Sequence, residues 1–267
     1  MQFSTDPIPA KSKSKCLFFS RSRSADEIEN LRLNGNKLPW VASAKHLGNL
    51  LSSKINAAFV IPDMAEDLRC KRGTLFDKIH QIKQQFGQLD PFLVVKLLSV
   101  YATSLYGSSL WQLNSSDYYK LCRSWNTVVK IIWDLPFNTH TRLLESLSPV
   151  AHLESVLAGR YVGFVHSLSS TSNPVLGLIF NQCKDNVSTQ TGNNIKHLME
   201  NHGLQSMKEL INMRSNIKCK RVNELQEEEE WKIDMIYDLV LARKGLIDID
   251  TLEVDELEDI LKFICSS

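Results

Sequence analysis

The sequence predicts an α+β protein, with a small antiparallel β patch at the N-terminus followed by a mainly α-helical bundle. Two observations support this fold class. Up to about residue 55, short apolar runs alternate with turn residues, a pattern that is typical of strands. From Pro62 onwards, apolar residues recur at spacings of three and four, which is typical of amphipathic helices joined by brief loops.

Three or four short strands are expected in the N-terminal part. Residues 16–19 form one apolar run, and Leu31 and Leu33 alternate with a polar residue. Asn34-Gly35 predicts a hairpin turn because both residues tolerate positive φ, and residues 38–41 are expected to return as the partner strand. A last strand is expected around residues 46–51. Such a patch cannot bury itself and needs the following helices, or a missing segment, behind it.

The helical part begins with a helix that Asp63 can cap, and its apolar face comprises Leu68, Leu75, Ile79, Ile82 and Phe86. The acidic pair Glu66-Asp67 is expected on the surface of its first turn. The later periodic segments predict helices at about 91–106, 115–133 and 139–147, from 148 to about 168, at 194–201 and 204–213, and from about 227. Residues 185–194 are polar and predict a loop, and residues 251–264 are amphipathic and acidic.

Composition and charge limit the possible classes of function. The 267 residues are 43% apolar, which is enough for a core. The sequence contains no run of 18 apolar residues, the length that would predict a membrane span. Residues 1–223 carry 27 basic and 16 acidic side chains, whereas residues 224–267 carry 4 and 14. A moderately basic body with an acidic tail suits a phosphate backbone as a partner, although most such charges are ordinary solvated ones. The absence of a signal-peptide pattern predicts a nuclear or cytoplasmic protein that is not secreted.

The six cysteines are widely spaced and predict reduced thiols rather than a disulfide framework. A zinc knuckle of Cys183, His197, His202 and Cys219 is an alternative, but its spacing is poor without a Cys-x-x-Cys pair. The sequence contains no Asp-Asp pair, and its acidic doublets occur in turn or helix-surface contexts. We therefore predict no metal ligands in this chain.

Two N-terminal segments carry a family resemblance. Residues 11–20, KSKSKCLFFS, and residues 40–49, WVASAKHLGN, resemble in order and separation the last two palm blocks of reverse transcriptases from non-LTR (LINE-type) retrotransposons. In that family the first block, motif D, carries a lysine thought to donate a proton to the leaving pyrophosphate, which corresponds to Lys13, with Lys15 as the alternative register. The second block, motif E, is the primer-grip hairpin, which corresponds to His46, Leu47 and Gly48.

The middle of the chain extends this resemblance. Residues 101–111, YATSLYGSSLW, residues 124–126, SWN, and residues 132–140, IWDLPFNTH, resemble thumb segments of the same polymerases. The resemblance implies two regions, residues 1–55 as the end of the palm and 56–190 as a helical thumb. Residues 191–267 are predicted from their own pattern to be an additional helical segment with an acidic C-terminus. The helical bundle is thus expected to be thumb-like.

The resemblance implies part of an RNA-directed DNA polymerase whose ligand is an RNA/DNA primer-template duplex. The expected phosphate contacts of the thumb are Lys71, Arg72, Lys78, Arg123 and Lys130. The catalytic aspartates of the family have no counterpart here, so Mg²⁺ is expected only in the complete polymerase and the chain alone is expected to be inactive. The remaining palm and fingers of that polymerase are an expected partner, and no membrane partner is expected.

The alternative is a non-catalytic helical module that binds nucleic acid or protein. The tryptophans Trp111, Trp125 and Trp133 could stack on bases, but their helical spacing with apolar residues favours core packing.

Overall fold

The structure is a computed structural model that confirms the α+β class. It describes residues 14–19, 27–33, 35–46, 48–56, 61–62, 64–102, 105–139, 141, 143–148, 152–213 and 230–244. Within these ranges, short antiparallel hairpins come first and helices follow. No described helix combines the length and the apolar character that crossing a membrane requires.

Three two-stranded antiparallel sheets form the described β part, and each one is a local hairpin. The strands are β1 Arg32–Leu33, β2 Asn36–Lys37, β3 Ser43–His46, β4 Asn49–Ser52, β5 Ile55–Asn56 and β6 Ile61–Pro62. Gly35 and Gly48 supply φ values of 80° and 83° at the first two turns, which a side chain would disfavour. The predicted hairpin is confirmed by the pairing of Leu33 with Asn36, but the partner strand is Asn36–Lys37. Trp40, which was expected in that strand, instead pairs with Cys16 in an isolated parallel bridge.

The helices follow the predicted periodicity, with shifted ends and one addition. They are α1 Ala65–Phe86, α2 Pro91–Ala102, α3 Ser116–Ile132, α4 Leu143–Ser146, α5 Leu153–Ser169, α6 Pro174–Cys183, α7 Gln190–His202, α8 Met207–Asn212 and α9 Glu230–Arg243. Helix α6 was not predicted. The predicted cap Asp63 and the predicted helix at 251–264 lie outside the described residues.

Side-chain caps account for several of these ends. Helix α5 begins at Leu153 rather than at residue 148, because His152 caps it by accepting from the Glu154 amide. Thr189 caps α7 by accepting from the Gly192 amide, so the polar stretch predicted as a loop becomes helical from Gln190. The cap residues therefore determine where α5 and α7 begin, which apolar periodicity alone did not predict.

The core is one continuous apolar cluster in which α1, α2 and α3 pack together and α5 covers α3. The three tryptophans are interior, with exposed fractions of 0% for Trp111, 2% for Trp125 and 0% for Trp133. Their expected role in core packing is confirmed.

The C-terminal helices join the same core. In α7, the buried Asn194 donates to the Trp111 carbonyl at 2.8 Å and accepts from the Leu113 amide at 2.9 Å. In α9, the Tyr237 hydroxyl donates to Asp90 at 2.6 Å, and just after α9 the Lys244 ammonium donates to the Gly87 carbonyl at 2.6 Å. These bonds fix α9 against the turn between α1 and α2.

Candidate nucleic-acid interface

A buried carboxylate joins the β3–β4 hairpin to the helices. Asp67, in the first turn of α1, is only 1% exposed. One carboxylate oxygen accepts from the Leu50 amide of β4 at 2.8 Å, and the other accepts from the Trp111 indole nitrogen at 2.9 Å. The expectation that the Glu66-Asp67 pair lies on the helix surface is therefore wrong for Asp67. These two hydrogen bonds give both oxygens of the buried carboxylate a donor and hold the hairpin against α1.

Two further contacts set the position of the hairpin turn. The Lys71 ammonium donates to the Gly48 carbonyl at 2.9 Å, one helical turn beyond Asp67. On the other side, Gly107 has a φ of 80°, and a Cβ placed there would overlap the side-chain amide of the buried Asn49. The string YGSSLW at residues 106–111 thus supplies both a glycine and an indole that hold this hairpin.

The turn and one edge of α1 form a row of polar and cationic groups. His46 and Gly48 are exposed at the turn, and Lys71 lies beside it. Lys78 follows seven residues later, which is about 10 Å along the helix axis, and its ammonium donates to Gln81 on the surface. We call His46, Gly48, Lys71 and Lys78 the hairpin edge. An ammonium has three donors, so these single bonds leave both lysines able to contact a phosphate.

Arg72 and Arg123 lie on two helices that pack against each other, α1 and α3. Asp67 bonds to Trp111 just before α3, and Lys83 donates to the Ile131 carbonyl at 2.9 Å near the end of α3, so α1 and α3 run in parallel. Arg123 is exposed and Arg72 is partly exposed.

Lys130 differs from the other predicted contacts. It is 8% exposed, and its ammonium donates to the Phe137 carbonyl at 2.8 Å. Burial lowers the pKa of Lys130 below its ordinary value. Lys130 thus belongs to the last turn of α3 but directs its ammonium to the following loop, where its charge is not presented to a ligand on the surface.

Two predicted site residues, Lys13 and Leu47, lie outside the described residues. Among the described ones, no group of three or more His, Cys, Asp or Glu side chains could hold a metal ion. The proposed zinc knuckle includes Cys219, which also lies outside the described ranges.

A separate cleft of about 600 Å³ lies between α7, α8 and the loop before α7. It is lined by the apolar residues Ile195, Met199, Leu204 and Met207. The charged residues Lys196 and Glu200 also line it. The predicted site residues are not among its lining residues, and its mixed charges do not favour a phosphate backbone.

Comparison with known proteins adds no relative. No family model, no curated protein and no solved structure matches this chain. The resemblance to LINE-type polymerases therefore stays a prediction that rests on the quoted strings.

The strand expected around residues 46–51 is wrong, because β3 ends at His46 and β4 begins at Asn49. The resemblance did predict a hairpin here, and neither line of reasoning found the groups that hold the hairpin on α1. Asp67 precedes Leu75 by eight residues and Ile82 by fifteen, and both spacings bring it back to the edge of the buried face. This position was the available signal that the carboxylate is interior. Nothing in the sequence alone pairs it with Trp111, which lies 44 residues later.

Proposed function

We propose that this chain is the duplex-gripping part of a LINE-type reverse transcriptase, contributing a primer-grip hairpin and thumb contacts to an RNA/DNA primer-template duplex. The observation that carries the proposal is the junction at Asp67 and Lys71. It fixes an exposed glycine turn beside a row of lysines, and it uses residues from both the palm-like and the thumb-like strings.

The chemistry of the hairpin edge suits a sugar-phosphate backbone. Gly48 has no side chain, so a backbone can approach the turn closely. Lysines spaced about 10 Å apart along a helix can reach successive phosphates without reading the sequence. Arg72 on α1 and Arg123 on α3 offer further cations, and guanidinium groups bind phosphates in a bidentate way.

The proposed role is not catalytic for this chain alone. The chain has no Asp-Asp pair, and its described residues hold no metal-binding group. Nucleotides and Mg²⁺ would belong to the complete polymerase, whose remaining palm and fingers would be the protein partner. The proposed compartment is the nucleus or the cytoplasm.

A second candidate is a protein-interaction module, and helix α6 favours it. Four of its apolar side chains, Val175, Leu176, Leu178 and Ile179, are between 44% and 63% exposed. Exposed apolar side chains on one short helix are typical of a surface that binds another protein.

The proposed function is tested by the salt dependence of binding to a short RNA/DNA hybrid. The full chain is compared with a Lys71→Gln, Lys78→Gln double variant and with a matched control, Lys196→Gln with Lys208→Gln, which removes two exposed charges from α7 and α8. Each lost phosphate contact lowers the slope of log K against log salt by about 0.7 to 0.9.

We expect the hairpin-edge pair to lower the slope by about 1.5 and the control pair to leave it unchanged. Equal decreases in slope for the two double variants would show that binding depends on total charge rather than on the hairpin edge. Absence of salt-sensitive binding by the full chain would contradict the proposal and favour the interaction module.

A further inference from the structure

Helix α5 begins at a histidine whose two ring nitrogens are both in use. His152 Nδ1 accepts from the Glu154 amide at 3.4 Å and so caps the helix. On the other side of the ring, Nε2 lies 2.9 Å from the side-chain oxygen of Asn126 on α3. The partly buried His152 side chain therefore links the start of α5 to α3.

These two contacts define the protonation state of the ring. A backbone N–H only donates, so Nδ1 must present its lone pair to the Glu154 amide. The side-chain oxygen of Asn126 accepts, so Nε2 must carry the hydrogen that is donated to it. The ring is thus the neutral tautomer with hydrogen on Nε2. A second proton cannot be added without losing the hydrogen bond at Nδ1.

Protonation is unfavourable at this position for further reasons. It would place a positive charge at the N-terminus of a helix, where the helix dipole favours negative charge. Burial acts in the same direction and lowers the pKa of His152 below its ordinary value, while the Glu154 carboxylate acts in the opposite direction.

The charged groups that the structure describes around this contact come from both helices. Glu154 belongs to the first turn of α5. On α3, Arg123 lies three residues before Asn126 and Lys130 four residues after it, so both are on the same side of the helix as Asn126. Two cations and one carboxylate give a positive balance, which favours the neutral ring.

The cap holds apolar residues in the core. Leu153 is the first residue of α5 and is 2% exposed, and Leu157, one turn later, is 1% exposed. The Val156 amide donates to the His152 carbonyl at 3.1 Å, so the first turn closes on the cap residue itself. A change at the cap therefore acts on a turn that packs into the core.

We infer that His152 is a proton-sensitive latch between α3 and α5. With the neutral ring, the first turn of α5 is capped and held on α3. Protonation of Nδ1 removes the cap and releases that turn. Because the released or unfolded chain takes up this proton at a higher pH, the stability from the latch is complete above about pH 6.5 and is lost as the pH falls below it. This inference is independent of the proposed function, because it rests on α3 and α5 alone.

The tautomer is tested first, on the full unmodified chain with ¹⁵N-labelled histidine. Two-bond ¹H–¹⁵N correlation spectra distinguish hydrogen on Nε2 from hydrogen on Nδ1. At about pH 7.5 the His152 ring is expected to carry hydrogen on Nε2, and it should titrate at a lower pH than in a short free peptide of the same sequence. Hydrogen on Nδ1, or titration at the pH of the free peptide, would overturn the inference.

Amide hydrogen exchange at the first turn of α5 tests the release. Each rate is divided by the intrinsic rate at the same pH, because intrinsic exchange itself depends on pH. Protection of the Glu154 and Val156 amides should fall at least about fivefold between about pH 7.5 and pH 5. His80→Asn changes an exposed histidine on α1 and is the matched control, which should show the same fall. Unchanged protection in the unmodified chain over this range would overturn the inference.

Three substitutions separate the latch from a general effect of acid. His152→Asn keeps an acceptor at the cap without a titrating group, so protection should stay constant with pH. His152→Ala should give the low protection at both pH values. Asn126→Asp places a carboxylate beside Nε2, which favours the charged ring and should move the fall to higher pH. A fall that persists unchanged in His152→Asn would show that another group titrates and would overturn the inference.

Discussion

Removal of the Asp67 side chain is expected to cause the largest loss of stability among polar substitutions at the hairpin. Asp67→Ala would leave the Leu50 amide and the Trp111 indole nitrogen without their partner in a site that is 1% exposed. An unsatisfied buried donor costs about 1 to 3 kcal/mol, and a charged acceptor is at the upper end. We therefore expect the free energy of unfolding to fall by about 3 to 5 kcal/mol.

Urea denaturation followed by tryptophan fluorescence measures this loss, and Trp111 lies within the perturbed site. For a chain of this size the loss corresponds to a fall in Tm on the order of 10 °C. Asp67→Asn keeps the size of the side chain but replaces one acceptor by a donor, so it should lose roughly half as much.

Glu66→Ala is the matched control, because Glu66 is the neighbouring acid and is exposed. It should change the free energy of unfolding by less than about 0.5 kcal/mol. If Asp67→Ala and Glu66→Ala had equal unfolding free energies, the carboxylate would not be the link between hairpin and helices, and the reasoning would be refuted.

Two further predictions concern a glycine and a buried phenol. Gly107→Ala should lower the free energy of unfolding, measured in urea, by about 2 to 4 kcal/mol, because its φ is positive and the new Cβ would overlap Asn49. The control Gly203→Ala, at a φ of 63° with open space around it, should lower it by about 1 kcal/mol. Equal losses for the two variants would contradict the packing at Asn49. Burial raises the pKa of Tyr161 to about 12, so its proton is kept by the folded state after the unfolded state has lost it. The stability that this phenol contributes is complete below pH 10 and is lost towards pH 12. Between pH 9 and 11.5, the free energy of unfolding should therefore fall less steeply with pH in Tyr161→Phe than in the unmodified chain. Parallel falls in the two proteins would argue against this cause.

Local patterns predicted most of the fold because they fix local structure. Asn34-Gly35 predicted a hairpin turn, since few residue pairs adopt positive φ. The apolar spacing over residues 115–133 predicted α3, whose ends differ from that range by one residue at each side. By contrast, α6 was not predicted. Only Phe180 of its apolar residues is buried, so its sequence does not show the one-sided pattern on which a helix prediction relies.

The candidate site was harder to predict because its bonds join distant residues. The cations Lys71 and Lys130 are both lysines on amphipathic helices, yet one lies beside an exposed turn and the other donates to Phe137 inside a loop. Their sequence contexts do not distinguish these outcomes, since each depends on where another segment returns. The partners of Asp67 are 17 and 44 residues away, beyond the range of any periodicity.

Amide hydrogen exchange of the full chain with and without an RNA/DNA hybrid duplex tests most directly whether the hairpin edge grips a duplex. The account predicts slower exchange on binding in β3, in β4 and in the first half of α1. Helices α7 and α8, which carry the two control lysines, should show no change. Protection confined to α6–α8, or no protection at a duplex concentration that saturates binding, would contradict the account.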